Sequence, residues 1–185
     1  MPELTFDRES EHLADQPLPA LTLEAPAKIN LFLQVVGKRP DGYHNLVSLM
    51  CAVGLHDRVS LSAGGSGIRI ACSEPGVPAD DTNLACRAAR VFQKALGQQD
   101  GVHITLEKSI PVAAGLGGGS SDAAAVLKGL NRLYENPFSE QALMEMGLSI
   151  GADVPFFIFG KAAVARGIGE ILEAVSYTHL RAHET

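Results

Sequence analysis

The sequence has few aromatic residues, few cysteines and no long apolar run. Only 5% of its 185 residues are aromatic, and none is tryptophan. The three cysteines, Cys51, Cys72 and Cys86, lack C-x-x-C spacing, which favours reduced and mostly buried thiols in a cytoplasmic protein. No apolar stretch reaches the ~18 residues that a membrane span needs, so we expect no membrane partner.

Basic residues are also too few and too scattered for a nucleic-acid surface. The chain has 15 Lys and Arg against 21 Asp and Glu, for a formal net charge of −6. We therefore expect no nucleic-acid partner. What the chain does have is a hydrophobic fraction of 46%, which is ordinary for a globular protein. Its length suffices for one domain with a substantial core.

The composition along the chain changes near both ends. Residues 1–20 are polar and acidic without the pattern of a signal peptide, and we expect a loose extension there. Residues 21–175 carry the periodic apolar patterns of a folded domain. Residues 176–185 are polar and continue none of these patterns, which predicts a non-native tail.

Apolar periodicity and turn residues predict an α+β fold, because strands come first and helices are interspersed later. Strands are expected over residues 21–24, 29–36, 46–53, 59–62, 68–72, 102–106, 154–159 and 162–166. Helices are expected over residues 83–96 with Thr82 as the cap, over 121–134, and from Ser139 to near Gly147. A turn is expected over residues 54–57.

A glycine-rich loop is the most informative segment. Residues 111–125 read Pro-Val-Ala-Ala-Gly-Leu-Gly-Gly-Gly-Ser-Ser-Asp-Ala-Ala-Ala, with an alternating apolar strand upstream. Glycines let the backbone approach a ligand closely, and Ser120 and Ser121 are good helix N-caps. A loop that runs into a helix N-terminus suits a phosphate group. The alternative is a flexible linker, but linkers rarely lead into a capped, alanine-rich helix.

The same loop differs from two common phosphate-binding motifs. A Walker A loop places Lys followed by Ser or Thr after its last glycine, whereas Ser120 and Ser121 follow here. A dinucleotide fingerprint requires glycine at position 120. We therefore expect a phosphate loop of another kind.

Three further segments carry residues whose side chains suit catalysis or ligand binding. Lys28 and Asn30 share one face of a strand, because side chains alternate with period two. Residues 41–44, Asp-Gly-Tyr-His, form a tight turn with an aromatic ring and an imidazole. Asp153 lies beside an apolar run, where a carboxylate needs a partner. Taken singly, an edge lysine, an ordinary turn and a helix-capping aspartate are the simpler interpretations.

In this order and spacing, the segments resemble the galactokinase, homoserine, mevalonate and phosphomevalonate (GHMP) kinase superfamily. The opening Pro-Ala-Lys-Ile-Asn-Leu-Phe-Leu of residues 26–33 and the Asp-Gly-Tyr-His turn are most similar to the branch that serves non-mevalonate isoprenoid biosynthesis. The resemblance covers about residues 23–174. It implies the N-terminal domain of these kinases, which is ribosomal protein S5 domain 2-like, with the C-terminal ferredoxin-like domain missing.

The resemblance also implies an ATP-dependent kinase that phosphorylates a hydroxyl of a small cytidine-diphosphate substrate. Asp153 would be the general base, with Lys28 beside it to stabilise the carboxylate and orient the hydroxyl. Asn30 would bind the substrate near its reacting end. The ATP loop would consist of Pro111, Val112, Ala113, Ala114, Gly115, Leu116, Gly117, Gly118, Gly119, Ser120 and Ser121.

The remaining implied roles concern the two bases and the metal ion. Tyr43 would stack on the cytosine and His44 would hydrogen-bond to it. Asn83 and Lys108 would lie near the adenine. Mg²⁺ would accompany ATP, with Ser120 or Ser121 as a ligand.

Three alternatives remain open at the level of the sequence. The chain could be a non-catalytic nucleotide-binding module, or a fragment that folds poorly and has no activity. It could also be a kinase for mevalonate or another small alcohol. The pair of Tyr43 and His44 speaks against that last alternative, because such substrates have no base to stack.

Overall fold

The structure, a computed structural model, describes residues 21–40, 42, 44–98 and 100–175. The predicted extension (1–20), the predicted tail (176–185) and the predicted site residue Tyr43 lie outside these described residues.

A six-stranded mixed sheet forms the centre of the domain. Five strands follow the order β3-β4-β2-β5-β6, and β1 pairs with β2. Among the strands of the described residues, β3 and β4 run parallel and the other pairs are antiparallel. The strands are β1 (Leu21–Lys38), β2 (His44–Ser66), β3 (Ile68–Cys72), β4 (Asp100–Glu107), β5 (Ala163–Gly167) and β6 (Ile171–Ala174). The predicted α+β class is confirmed.

Strands β1 and β2 are each longer than the sequence patterns predict. Each was expected as two short strands, but each is one strand interrupted only by shifts in register, such as those between Pro26 and Lys28 and between Asn30 and Phe32. The turn expected at residues 54–57 is therefore wrong, since this segment lies within β2. Bulges let a strand bend without ending, and they interrupt the alternation on which the prediction depends.

Four helices accompany the sheet within the described residues: α1 (Leu84–Leu96), α2 (Gly118–Leu133), α3 (Glu140–Ile150) and α4 (Val154–Phe159). The N-cap of α1 is Asn83 rather than the expected Thr82, because the Asn83 side chain accepts a hydrogen bond from the N–H of Ala85 at 2.9 Å. Helix α3 begins after Ser139 as predicted, and the Ser139 side chain caps it.

Helix α4 corrects a predicted strand. Its apolar run, Val-Pro-Phe-Phe-Ile-Phe, is compatible with either a buried strand or a buried helix. Pro155 in the first turn suits a helix start, and Gly160 ends the helix in the left-handed conformation with φ of 68°. The helix follows directly on Asp153, so it fixes the position of that carboxylate.

The helices cover one face of the sheet. Burial alternates along β4, where Val102, Ile104 and Leu106 are buried and the residues between them face outwards. Helix α2 packs closely on β1 and β2, since a Cβ at Gly129 would clash with Cδ1 of Leu61 and lie 2.9 Å from Cδ1 of Leu23. This close packing brings the N-terminus of α2, and the loop before it, next to β1.

The second half of β1 extends beyond this helical layer. The apolar side chains of Ile29, Leu31 and Leu33, which were expected to face away from Lys28, are exposed. The cysteines are thiols; Cys86 is buried and the other two are half-buried. Among the described residues, no helix combines the length and the apolar character needed to cross a membrane.

Candidate active site

The glycine-rich loop connects β4 to α2 and depends on left-handed backbone conformations. Gly115 and Gly117 both have φ of 74°, and even Ala113 has φ of 59°. Residues 111–115 are exposed. The chain thus passes over the N-terminus of α2 in a conformation that L-residues other than glycine rarely adopt.

Helix α2 begins at Gly118, three residues before the predicted start, with Gly117 as its N-cap. Glycine has no side chain with which to cap the helix, and no side-chain hydrogen bond occurs there. The first N–H groups of a helix have no partner within the helix. The N–H groups of Gly118, Gly119 and Ser120 therefore remain available to a phosphate, together with the positive end of the helix dipole.

An open cavity of about 370 Å³ lies along the loop. Residues 110–120 form one side, and Pro78 and residues 82–84 at the start of α1 form another. This volume falls in the range of sites for small molecules. The cavity adjoins the free N–H groups of α2, so a nucleotide in it could place its phosphates on them.

Lys28 and Asp153 meet at the other flank of the loop. The Lys28 Nζ lies 3.5 Å from Oδ2 of Asp153 and donates a hydrogen bond to Oδ1 of Asn30 at 3.1 Å. The Lys28 side chain is 8% exposed, whereas that of Asp153 is 39% exposed. Asp153 occupies the N-cap position of α4 without making a capping hydrogen bond. Its carboxylate is therefore available to a ligand.

Backbone contacts fix this pair against the loop. The N–H of Lys28 donates to the carbonyl oxygen of Leu116 at 2.9 Å. A Cβ at Gly117 would lie 2.9 Å from the Phe157 ring and 3.1 Å from Cγ of Lys28. Gly117 is thus held between β1 and α4, which carry the two charged residues. The structure brings together Lys28, Asn30, Asp153 and the loop, as the sequence predicts.

Asn83 and Lys108 line the cavity, but their polar groups are engaged within the protein. The Asn83 amide donates to the Pro78 carbonyl oxygen at 2.7 Å while its oxygen caps α1. The Lys108 ammonium pairs with Asp57 and Asp122. Contacts from these two residues to an adenine would therefore come from their backbones or from their apolar parts.

The Lys108 ion pairs form a buried triad at the base of the loop. Asp57 is fully buried, and the side chain of Asp122 is 3% exposed. Burial raises the pKa of Asp122 to about 6, partly offset by the Lys108 charge and reinforced by Asp57. Burial alone would lower the pKa of Lys108, but the two carboxylates outweigh this effect and raise it.

The two aspartates of the triad differ in their hydrogen bonds. Oδ1 of Asp57 accepts from the N–H groups of Ser109 and Ile110 at 2.6 and 2.8 Å. Oδ1 of Asp122 is buried without a hydrogen-bond partner. Asp57 is thus held by two backbone groups as well as by Lys108, whereas Asp122 has one oxygen on Lys108 and one without a partner.

His44 lies at the far end of the β1–β2 hairpin. It is exposed and pairs with Lys38, whereas Lys28 pairs with Ala52. At about 3.3 Å per residue, the ten residues from Lys28 to Lys38 span about 30 Å in a straight strand, and bulges shorten this distance. The structure therefore does not place His44 beside the Lys28–Asp153 pair.

The two serines after the glycines face opposite environments. Ser121 is 1% exposed, its hydroxyl has no hydrogen-bond partner, and its N–H donates to the Gly117 carbonyl oxygen. Ser120 is half-buried and lines the cavity, and its Oγ lies 3.8 Å from the position of a Cβ at Gly151. Of the two, Ser120 has the hydroxyl that a ligand can reach.

Sequence reasoning missed three residues that shape the site: Asp57, Asp122 and Phe157. Asp57 falls in the segment predicted as a turn, where an aspartate is unremarkable. Phe157 falls in the segment predicted as a strand. Asp122 gave the one usable signal, because a carboxylate within an otherwise small and apolar helix start requires a buried partner.

One protein family matches both the fold and the segments that build the site. Residues 83–161 match the profile of the GHMP kinases N terminal domain. This match covers α1, the glycine loop, α2 and Asp153. The chain therefore carries the N-terminal domain of the GHMP kinases, as its motifs predict.

Similar proteins within this family share one name. The chain is 50% identical over 159 residues to the 4-diphosphocytidyl-2-C-methyl-D-erythritol kinase of Geobacter metallireducens, covering 85% of this chain and 57% of that protein. It is 50% identical over 178 residues to the enzyme of the same name from Desulfotalea psychrophila, covering 94% and 59%. A crystal structure of 4-(cytidine 5'-diphospho)-2C-methyl-D-erythritol kinase aligns with a TM-score of 0.73 at 45% identity, covering 84% of this chain and 55% of that one. The chain thus spans little more than half the length of its relatives.

Proposed function

We propose that this chain is part of a kinase that phosphorylates the 2-hydroxyl of 4-diphosphocytidyl-2-C-methyl-D-erythritol. In this proposal the chain binds ATP and supplies the general base. The observation that carries the proposal is the Lys28–Asp153 pair, 3.5 Å apart beside a helix N-terminus with free N–H groups. The names of the relatives at 50% identity support the substrate assignment.

In the proposed reaction, Asp153 accepts the proton of the substrate hydroxyl. The hydroxyl oxygen then forms a bond to the γ-phosphorus of ATP as the bond to the ADP oxygen breaks. Phosphoryl transfer depends mainly on positioning and on stabilisation of charge. The Lys28 ammonium orients the hydroxyl, and the N–H groups of residues 118–120 bind the phosphates.

Mg²⁺ bound with ATP would neutralise phosphate charge. No group of three or more His, Cys, Asp and Glu able to hold a metal ion occurs in the described part of the chain. A magnesium ion that arrives with ATP does not require such a group, because it needs only one or two protein ligands besides the phosphates and waters. Ser120 is suitable, since its half-buried hydroxyl lines the cavity at the N-terminus of α2.

Cytidine recognition is assigned to Tyr43 and His44. In this proposal the substrate is elongated, with its base at the far end of the hairpin and its reacting hydroxyl at Lys28. The register places His44 opposite Lys38, on the same hairpin whose strand β1 carries Lys28. Asn30, whose Oδ1 accepts from the Lys28 ammonium, contacts the end that reacts.

Calorimetry on the 185-residue chain tests the first half of the proposal. We expect it to bind ATP with Mg²⁺, and a chain that is folded by circular dichroism yet binds no ATP would overturn the assignment of the loop.

Turnover is measured on what we call the extended chain. This is the chain joined to the part of the Geobacter metallireducens relative that it does not cover. We expect ADP release that requires 4-diphosphocytidyl-2-C-methyl-D-erythritol. Turnover of mevalonate or homoserine in its place would support kinase activity but overturn the proposed substrate. ATP binding without turnover of any alcohol would favour a nucleotide-binding module.

A further inference from the structure

The entrance to the glycine loop is tied to the middle of the sheet by one buried carboxylate. Asp57 lies in β2 and is 0% exposed. Its Oδ1 accepts from the N–H groups of Ser109 and Ile110, and its Oδ2 accepts from the Lys108 ammonium. Asp57 thus holds the three residues that lead from β4 into the loop.

The exit from the loop is tied to the same ammonium. Nζ of Lys108 also donates to Oδ2 of Asp122 in α2 at 2.6 Å. In addition, a Cβ at Gly118 would lie 3.4 Å from Nζ of Lys108 and 3.1 Å from Cγ2 of Ile110. The Lys108 ammonium therefore joins the strand before the loop to the helix after it, directly behind the first free N–H groups of that helix.

Burying these charged groups costs free energy of desolvation. Two buried carboxylates share one ammonium, and one oxygen of Asp122 has no hydrogen-bond partner. Replacing a buried ion pair by apolar residues is often neutral or stabilising, so stability alone explains such a triad poorly. Fixing the distance between the two ends of a ligand-binding loop is a role that charged hydrogen bonds with directed geometry perform well.

We propose that Asp57, Lys108 and Asp122 are positioning residues that hold the two ends of the glycine loop at the spacing that ATP phosphates require. The proposal rests on the proposed function, because it takes ATP as the ligand of the loop. It differs from a direct role of Lys108 in contacting the nucleotide. Substitution of Asp57 distinguishes these two roles, since a fully buried carboxylate cannot touch ATP and can act only through Lys108 and the loop.

The test compares ATP affinity in Lys108→Met, Asp57→Asn and the double variant. Each single variant is expected to weaken ATP binding about 10- to 100-fold, because small misplacements of binding groups have effects of that order. The double variant is expected to bind ATP about as tightly as the single variant with the larger loss, since the residues act as one unit. Cytidine diphosphate affinity is expected to remain unchanged.

Glu107→Gln provides the matched control. Glu107 is adjacent to Lys108 and also forms an ion pair, but with exposed Arg58 at 3.6 Å and away from the loop. It is expected to leave ATP affinity unchanged. Loss of affinity in Lys108→Met with none in Asp57→Asn would overturn positioning in favour of direct contact. If Asp57→Asn does not fold, Asp122→Ala replaces it, with the same expected loss and the same contrary outcome.

Amide hydrogen exchange separates a failure of this proposal from a failure of the proposed function. The Ser121 N–H bonds to Gly117 at the exit of the loop, whereas Asp57 holds the entrance. Asp57→Asn is expected to speed exchange of the Ser121 amide at least tenfold without any ATP present. Unchanged exchange in this variant would overturn the positioning role. A wild-type chain that fails to bind ATP overturns the proposed function alone.

Discussion

The N–H of Lys28 donates a hydrogen bond to the carbonyl oxygen of Leu116 at 2.9 Å, which fixes β1 directly to the glycine loop. The same residue directs its ammonium towards Asp153, 3.5 Å away. One residue thus connects, by its backbone, to the loop proposed to bind ATP and, by its side chain, to the proposed base. The alignment of the loop with the proposed base therefore depends on β1 and on helix α4, which fixes Asp153.

This connection predicts that Lys28 and Asp153 act as a unit in the extended chain. Asp153→Asn keeps the shape of the side chain and removes the base, so the turnover number should fall by about 10²–10⁴-fold. Lys28→Met should cause a comparable loss. The double variant should be little worse than either single variant, because effects within one catalytic unit are non-additive.

The control for this prediction is Lys161→Met, which removes an exposed lysine near the Phe159 ring and away from the loop. It should leave the turnover number unchanged. Losses at Lys28 and Asp153 that multiply in the double variant would mean that the two residues act independently.

A second prediction concerns Gly117. Its φ of 74° disfavours any residue with a Cβ, and that Cβ would meet Phe157 and Lys28 at 2.9 and 3.1 Å. Gly117→Ala should therefore destabilise the chain by about 2 kcal/mol or more, from the left-handed backbone together with the displaced neighbours. Urea unfolding measures this change in the free energy of unfolding.

Gly119→Ala is the matched comparison for stability. A Cβ there would lie 3.6 Å from Cδ1 of Leu84, an ordinary contact, within a helix that alanine favours. Its free energy of unfolding should be equal to that of the wild type or slightly higher. Equal effects at the two positions would contradict the packing of Gly117 between β1 and α4.

The sequence predicted the parts of the site that short motifs encode. Lys28 and Asn30 share a strand face, and the glycine loop leads into a helix, as these local patterns predict. That Asp153 lies beside Lys28 was implied by the resemblance to the GHMP kinases, because the two residues are distant in the sequence. The α+β class followed from the order of strands and helices. The sequence did not predict that α2 begins at Gly118, because glycine seldom occupies the first turn of a helix.

Contacts between distant segments were outside the reach of sequence patterns. Asp57 and Ile110 are 53 residues apart and are brought together by the pairing of β2 with β4. The single long β2 was divided in the prediction by Gly54 and Asp57, both of which favour turns. Tertiary pairing overrides that preference, and the buried partners of Asp57 then follow from it.

A third prediction follows from the proposed stacking of Tyr43 on cytosine. An aromatic stack contributes about 1–3 kcal/mol per base, so Tyr43→Ala should weaken binding of the cytidine substrate about 5- to 150-fold. Tyr43→Phe keeps the ring and should restore most of the affinity. ATP affinity is the internal control and should remain unchanged in both variants. Equal losses for both ligands would place Tyr43 outside a cytidine site.

The last prediction concerns pH and the buried triad. The pKa of Asp122 is raised from 3.8 to about 6 by burial, and the charged groups that act on it are Lys108 and Asp57. A carboxyl whose pKa is higher in the folded state binds protons more tightly when folded. Its contribution to stability is therefore fully present below about pH 4 and is lost as the pH rises to about 6.

Asp122→Asn removes this titration and keeps an oxygen that can accept from Lys108. The free energy of unfolding of the variant, minus that of the wild type, should therefore increase between about pH 4 and pH 6 by up to about 3 kcal/mol. Above about pH 7 the difference should be constant, because Asp122 is then charged in both states of the wild type. Urea unfolding at pH 4, 5, 6 and 7.5 measures it for both proteins. A difference that does not change with pH would mean that Asp122 does not hold the proton of the triad, and one that decreases would mean that its pKa is lowered by Lys108 rather than raised by burial.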